Sequence, residues 1–103
     1  MAHDYEAQRL GTFESFALMG EGVPARAVVA FQFLAEETTP DWGAAERGLM
    51  AAGFAVRRDA ASGVLEAVVG PIAVTAAEVW RWERLATEVM VGLEFWPDGW
   101  EVE

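Results

Sequence analysis

The stretch FAVRRD-AASG-VLEAVVG, Phe54 to Gly70, constrains the fold more than any other. Phe54 and Val56 alternate with Ala55 and Arg57, and Leu65, Ala67 and Val69 alternate with Val64, Glu66 and Val68. Period-two runs on either side of a short turn predict an antiparallel hairpin, with its reversal near Ser62-Gly63. An isolated hairpin is marginal in water, so the flanking segments must supply further strands and a cover for the apolar face.

Those segments read symmetrically about the hairpin. Ahead of it, ARAVVAFQFLAE (Ala25 to Glu36) is a strand with Val29, Phe31 and Phe33 on one face. Val28, Ala30, Gln32 and Leu34 make the other face, apolar enough to predict a central strand covered on both sides. In TTPDWGAAERGLMAAGF, Thr39 reads as the cap and Pro40 as the first helical position, with Trp42, Ala45, Leu49 and Ala52 on one stripe and Gly53 as terminator. Behind the hairpin, TAAEVWRWERLATEVMVGL imitates a strand at Trp80-Arg81-Trp82. Its length and the Thr75-x-x-Glu78 capping box predict a helix instead, with Val79, Trp82, Ala86, Val89 and Leu93 as the core stripe. LEFWPDGWEVE closes as a strand interrupted at Pro97-Asp98-Gly99. A leading helix, Asp4 to Met19, presents Leu10, Phe13 and Ala17 at helical spacing, with Phe16 and Met19 widening the apolar face, and ends in GEGVP. The order predicts one α+β domain over residues 1–103, a ferredoxin-like βαββαβ sandwich with an extra N-terminal helix.

Composition narrows the chemistry. With 53% hydrophobic residues and five tryptophans the chain is a packing sequence, not a disordered one. Cysteine is absent, which excludes disulfides and thiol chemistry and fits a reducing cytoplasm. The N-terminal residues lack the basic start and apolar run of a secretory signal, and no segment is long and apolar enough to cross a membrane. The net charge is −10, and all seven basic residues are arginines. Such a surface repels phosphate backbones and attracts basic protein segments, so no direct nucleic-acid contact and no membrane is expected.

Catalytic residues are sparse. His3 is the single histidine; it lies near the N-terminus, where order is not expected, and its spacing to Asp4 and Glu6 matches no metal-ligand pattern. The absence of lysine removes Schiff-base chemistry and the phosphate-loop lysine. Glu36, Glu37 and Asp41 are the best carboxylate cluster, read as acid–base or cation-holding groups or as a solvated loop beside a helix start. Glu78, Glu83 and Glu88, interleaved with Arg81 and Arg84, read as helix-surface pairs. No cofactor or metal is expected. Core packing is the expected use of Trp42 and Trp82, whereas Trp80, Trp96 and Trp100 stand at stripe edges or in the final turn, where an aromatic can anchor a partner; for Trp100, sealing the core is the preferred of the two uses.

The pieces in this order, with VVAFQF, AAGFAV and a last helix followed by FWPDGWEVE, resemble the ribonuclease E inhibitor family, the regulators of ribonuclease activity B. The resemblance runs from about Leu10 onward. Its most specific part is Asp98-Gly99-Trp100-Glu101, which stands where the family closes on an aromatic-Asp-Gly-Trp-Glu run; Pro97 takes the aromatic's place, with Phe95 and Trp96 just before it. The resemblance implies a non-enzymatic protein that binds and inhibits an RNA-degrading endonuclease or its scaffold. The candidate partner-binding residues are Trp96, Asp98, Trp100 and Glu101, with Glu36 and Glu37. A ferredoxin-like small-molecule-binding module, or a homodimer through the sheet, is the other expectation.

Overall fold

The computed structural model describes residues 2–20 and 22–103. Three helices and four strands follow one another as α1 (Tyr5–Met19), β1 (Arg26–Ala35), α2 (Trp42–Ala51), β2 (Ala55–Asp59), β3 (Val64–Ala73), α3 (Ala76–Val91) and β4 (Phe95–Val102). The strands make one antiparallel sheet in the order β2-β3-β1-β4, so the fold is mixed α+β with β1 and β3 central.

The hairpin forms where the alternation placed it. Asp59 pairs with Val64, and Gly63 donates its N–H to Ala60 O at 3.3 Å. Its φ of 72° lies in the left-handed region that glycine enters without steric cost. β3 runs past the predicted end at Gly70 to Ala73, because β1 continues opposite it. At Gly70 the two strands shift register, and a Cβ there would lie 2.8 Å from both Ala27 O and Val28 Cα, with φ at 138°. Only glycine fits that approach.

Helix punctuation is partly as expected. The Thr75 hydroxyl accepts from Glu78 N at 3.2 Å and starts α3. Asp41, not Thr39, caps α2 by accepting from Ala44 N at 3.0 Å, so Pro40 falls just outside the helix. Gly20 ends α1; the rest of the expected breaker includes Glu21, which lies outside the described residues.

One core joins sheet and helices. Val29, Phe31 and Phe33 of β1, Leu65 and Ala67 of β3 and Phe95 of β4 meet Ala45 and Leu49 of α2 and Val79, Ala86 and Met90 of α3. Each fully buried Leu, Val or Phe there contributes roughly 1.5–3 kcal/mol. Trp42 packs edge-on against Phe95 and Trp82 edge-on against Phe54, with ring centroids 5.4 and 5.5 Å apart, so both serve the core as expected.

The opposite face of the sheet departs from expectation: among the described residues no element packs over it. Side chains close it instead. Gln32 donates to Glu66 at 3.2 Å and to Glu101 at 2.8 Å, and Arg57 bridges Glu66, at 2.9 Å, and Glu103. This polar belt crosses all four strands.

α1 docks by one margin of its predicted face, where Phe16 lies, and its Leu10–Phe13–Ala17 stripe and Met19 are left outside. Thr12 is buried and Tyr5, Gln8 and Phe16 are half-buried, whereas Leu10, Phe13 and Ala17 are exposed. The Leu10–Phe13–Ala17 stripe and the docked face are roughly a third of a turn apart. What turns the helix is polar: Gln8 and Thr12 dock on a buried carboxylate of α3, and Phe16 stacks on Trp100 with centroids 5.4 Å apart.

Candidate partner-binding surface

β4 carries most of the expected site and forms one edge of the sheet. Phe95 pairs with Ala35, Trp96 with Leu34 and Pro97 with Phe33; Gly99 then pairs with Gln32, which leaves Asp98 as the extra residue of a bulge. The interruption read from Pro97-Asp98-Gly99 is therefore a bulge inside a continuous strand. It bends the edge and divides the candidate residues into two groups.

The first group lies at the start of β4. The Trp96 indole N–H donates to Glu36 Oε2 at 2.5 Å, and Glu36 N donates to Glu94 O at 3.0 Å. Glu94 has φ at 62°, and hydrogen bonding with Glu37, followed by the charges of Glu37 and Glu36, holds the Glu94 carboxyl above its ordinary value. Trp96, Glu36 and Glu37 are thus brought together around a residue absent from the candidate set. Asp41 is occupied as the α2 cap. Among the described residues no three His, Asp or Glu side chains are placed to hold a metal ion.

His3 packs back onto the start of α1. Its Nε2 donates to Gln8 Oε1 at 2.7 Å, its ring packs edge-on to Tyr5 at 4.7 Å, and Trp96 lies 6.3 Å away. Asp4 next to it caps α1 by accepting from Ala7 N at 2.9 Å.

The second group lies beyond the bulge. Trp100 pairs with Phe31, is half-buried and lies against the core. Glu101 points to the belt side and is exposed, while Asp98 is exposed at the bulge. Between this half of β4 and the C-terminal half of α1 runs a groove of about 470 Å3, lined by Ser15, Met19, Gly99, Trp100, Glu101 and Val102. Ser15, Met19, Gly99 and Val102 were not among the sequence candidates; Ser15 and Met19 reach the strand only through the tertiary placement of α1.

The strongest electrostatic anomaly is elsewhere. Glu83 is 5% exposed on α3, facing α1, and no cation is paired with it among the described residues. It accepts from Thr12 Oγ1 and from Gln8 Nε2, the latter at 3.1 Å, and Gln8 also donates to Thr87 Oγ1 at 2.9 Å. Burial pushes its carboxyl above the ordinary value, and the two hydrogen bonds oppose that only in part. The expected surface role for Glu83 is therefore wrong. Its neighbours Arg81 and Arg84 turn outward to Glu78, at 2.7 Å, and Glu88, at 3.6 Å. The signal was present in the spacing, since Glu83 falls between Val79, Ala86 and Met90 on the buried stripe.

No helix of the described residues is long and apolar enough to cross a membrane. Comparison of the chain with protein families, with curated proteins and with solved structures finds no match.

Proposed function

We propose that this protein is a non-enzymatic regulator that binds an RNA-degrading endonuclease, or its scaffold, and slows RNA cleavage through protein–protein contact. The observation that carries the reading is the placement of Asp98-Gly99-Trp100-Glu101. The run most like the ribonuclease E inhibitor family forms the bulge and the free half of an edge strand, with an aromatic beside exposed carboxylates. A net charge of −10 adds long-range attraction for a basic partner segment. The strand order β2-β3-β1-β4, with α2 joining β1 to β2 and α3 joining β3 to β4, supports the ferredoxin-like arrangement on which the resemblance depends.

The test is recovery of partners from the protein's own cells with the tagged full chain, followed by an RNA-cleavage assay with and without added protein. The expected result is an RNA-degrading endonuclease or its scaffold in the recovered set, and slower cleavage. Recovery of no RNA-processing component, or an unchanged cleavage rate, overturns the reading. The groove beside Trp100 favours a second reading, a small-molecule-binding module. Thermal stabilisation by one member of a metabolite panel supports that second reading, and no shift across the panel removes it.

A further inference from the structure

A sheet has two edges, and this one guards them differently. β2 is short and carries Arg57 and Arg58, both held in ion pairs, Arg58 with Glu46 at 2.7 Å. Charged side chains along an edge are a common defence against unwanted strand pairing. In β4 the defence stops halfway. Pro97 offers no N–H and Asp98 bulges, so Phe95 to Asp98 is a poor template. Gly99 to Val102 has neither a proline nor a bulge, and its single charge, Glu101, is in no ion pair among the described residues. Among the described residues, no backbone group from Phe95 to Val102 makes a hydrogen bond outside the pairing with β1.

The groove along α1 coincides with this unguarded half. Met19, Trp100 and Val102 give it apolar surface, Gly99 leaves room for a close backbone, and Glu101, on the belt face of the same strand, supplies a negative rim to the edge. Asp98 and Glu101 are both exposed and neither has a cationic partner among the described residues. Glu101 accepts only from the neutral amide of Gln32. A second copy of the chain would bring the same carboxylates against each other, and like charges across paired strands oppose association. A segment carrying arginine or lysine on alternate residues satisfies the backbone and the rim together.

We propose that Gly99 to Val102 and the adjoining α1 groove bind an extended, arginine- or lysine-bearing protein segment, which adds to β4 as a fifth strand. This rests on the protein–protein reading above and specifies its partner: main-chain pairing gives affinity, and the acidic rim selects the sequence. The unguarded stretch spans about 13 Å, so a segment of roughly four paired residues fills it.

The experiment uses the full chain and a synthetic peptide of alternating arginine and valine, read by titration calorimetry and by backbone amide exchange. The expected result is saturable one-to-one binding with slowed exchange at Gly99 to Val102. The same peptide N-methylated on alternate amides keeps its charge but loses its ladder donors, and is expected to bind about tenfold more weakly. Glu101→Gln weakens binding by about threefold. Absence of binding, equal binding of the N-methylated peptide, or protection confined to the Glu36–Glu37–Glu94 corner overturns the proposal. So does a dimer whose Gly99 to Val102 amides are already protected without peptide. Slowed RNA cleavage that persists after any of these results leaves the regulatory reading standing on another surface, so the two failures are distinguishable.

Discussion

A carboxyl enclosed between two helices, with a hydroxyl and an amide as its donors, is desolvated without a compensating charge. That is the state of Glu83. Its folded pKa is raised, so the folded chain holds this proton more tightly than the unfolded chain does. The associated stability is fully present below the unfolded value, about 4.3, and is lost as pH rises through the folded value. Replacing the group with its neutral isostere removes that dependence. Urea titrations across pH should therefore show the advantage of Glu83→Gln over the parent growing above about pH 4.3 and then levelling. A difference that stays constant with pH would contradict a desolvated carboxyl. Glu83→Ala behaves differently, because Thr12 and Gln8 then lose their acceptor, and it should cost about 1–3 kcal/mol.

At the scale of elements, α1 is the piece whose orientation the amino-acid pattern misrepresents. Leu10, at 53% exposed, faces outward, and Phe13, also exposed, has Arg9 over its ring at 5.2 Å. Leu10→Ser should change stability by no more than about 0.5 kcal/mol. Phe16→Ala, which unstacks Trp100, should cost about 1–3 kcal/mol, and denaturant midpoints separate the two. Equal costs would mean that the helix docks by its Leu10–Phe13–Ala17 stripe. The other elements were legible because their signals are local: alternation for the hairpin, a capping box for α3, an apolar stripe for α2. The α1 docking depends on Thr12 and Gln8 meeting Glu83 about seventy residues away, and spacing within one helix carries no information about a polar partner on another. The same holds for the site. The Asp98–Glu101 run was visible as residues, but the groove beside it exists only because α1 is turned this way.

For the whole molecule, excess negative charge is the persistent opposing force. The belt on the open sheet face concentrates it, with Glu66, Glu101 and Glu103 gathered around Gln32 and Arg57. Arg57 is 49% exposed, so its pairing contributes less than about 1 kcal/mol. Its removal matters chiefly through the carboxylates left facing one another. Arg57→Gln should lower Tm most at low ionic strength. Raising NaCl from about 0.01 M to about 1 M, which shortens the screening length from about 30 Å to 3 Å, should raise Tm and narrow the gap to the parent. A gap indifferent to salt would show that the belt acts through packing instead of charge.

The five tryptophans are all half-buried, and four of them stand at different junctions. Trp100 lies between α1 and β4, Trp96 at the acidic corner, Trp42 under Arg58, and Trp82 beneath Arg81 with an indole N–H that meets no acceptor among the described residues. Intrinsic fluorescence is therefore a map of this protein and not merely an unfolding signal. Single tryptophan-to-phenylalanine replacements would assign each part of the emission to its junction, and the Trp100 contribution would report by colour and intensity whenever α1 lifts or the groove beside it fills.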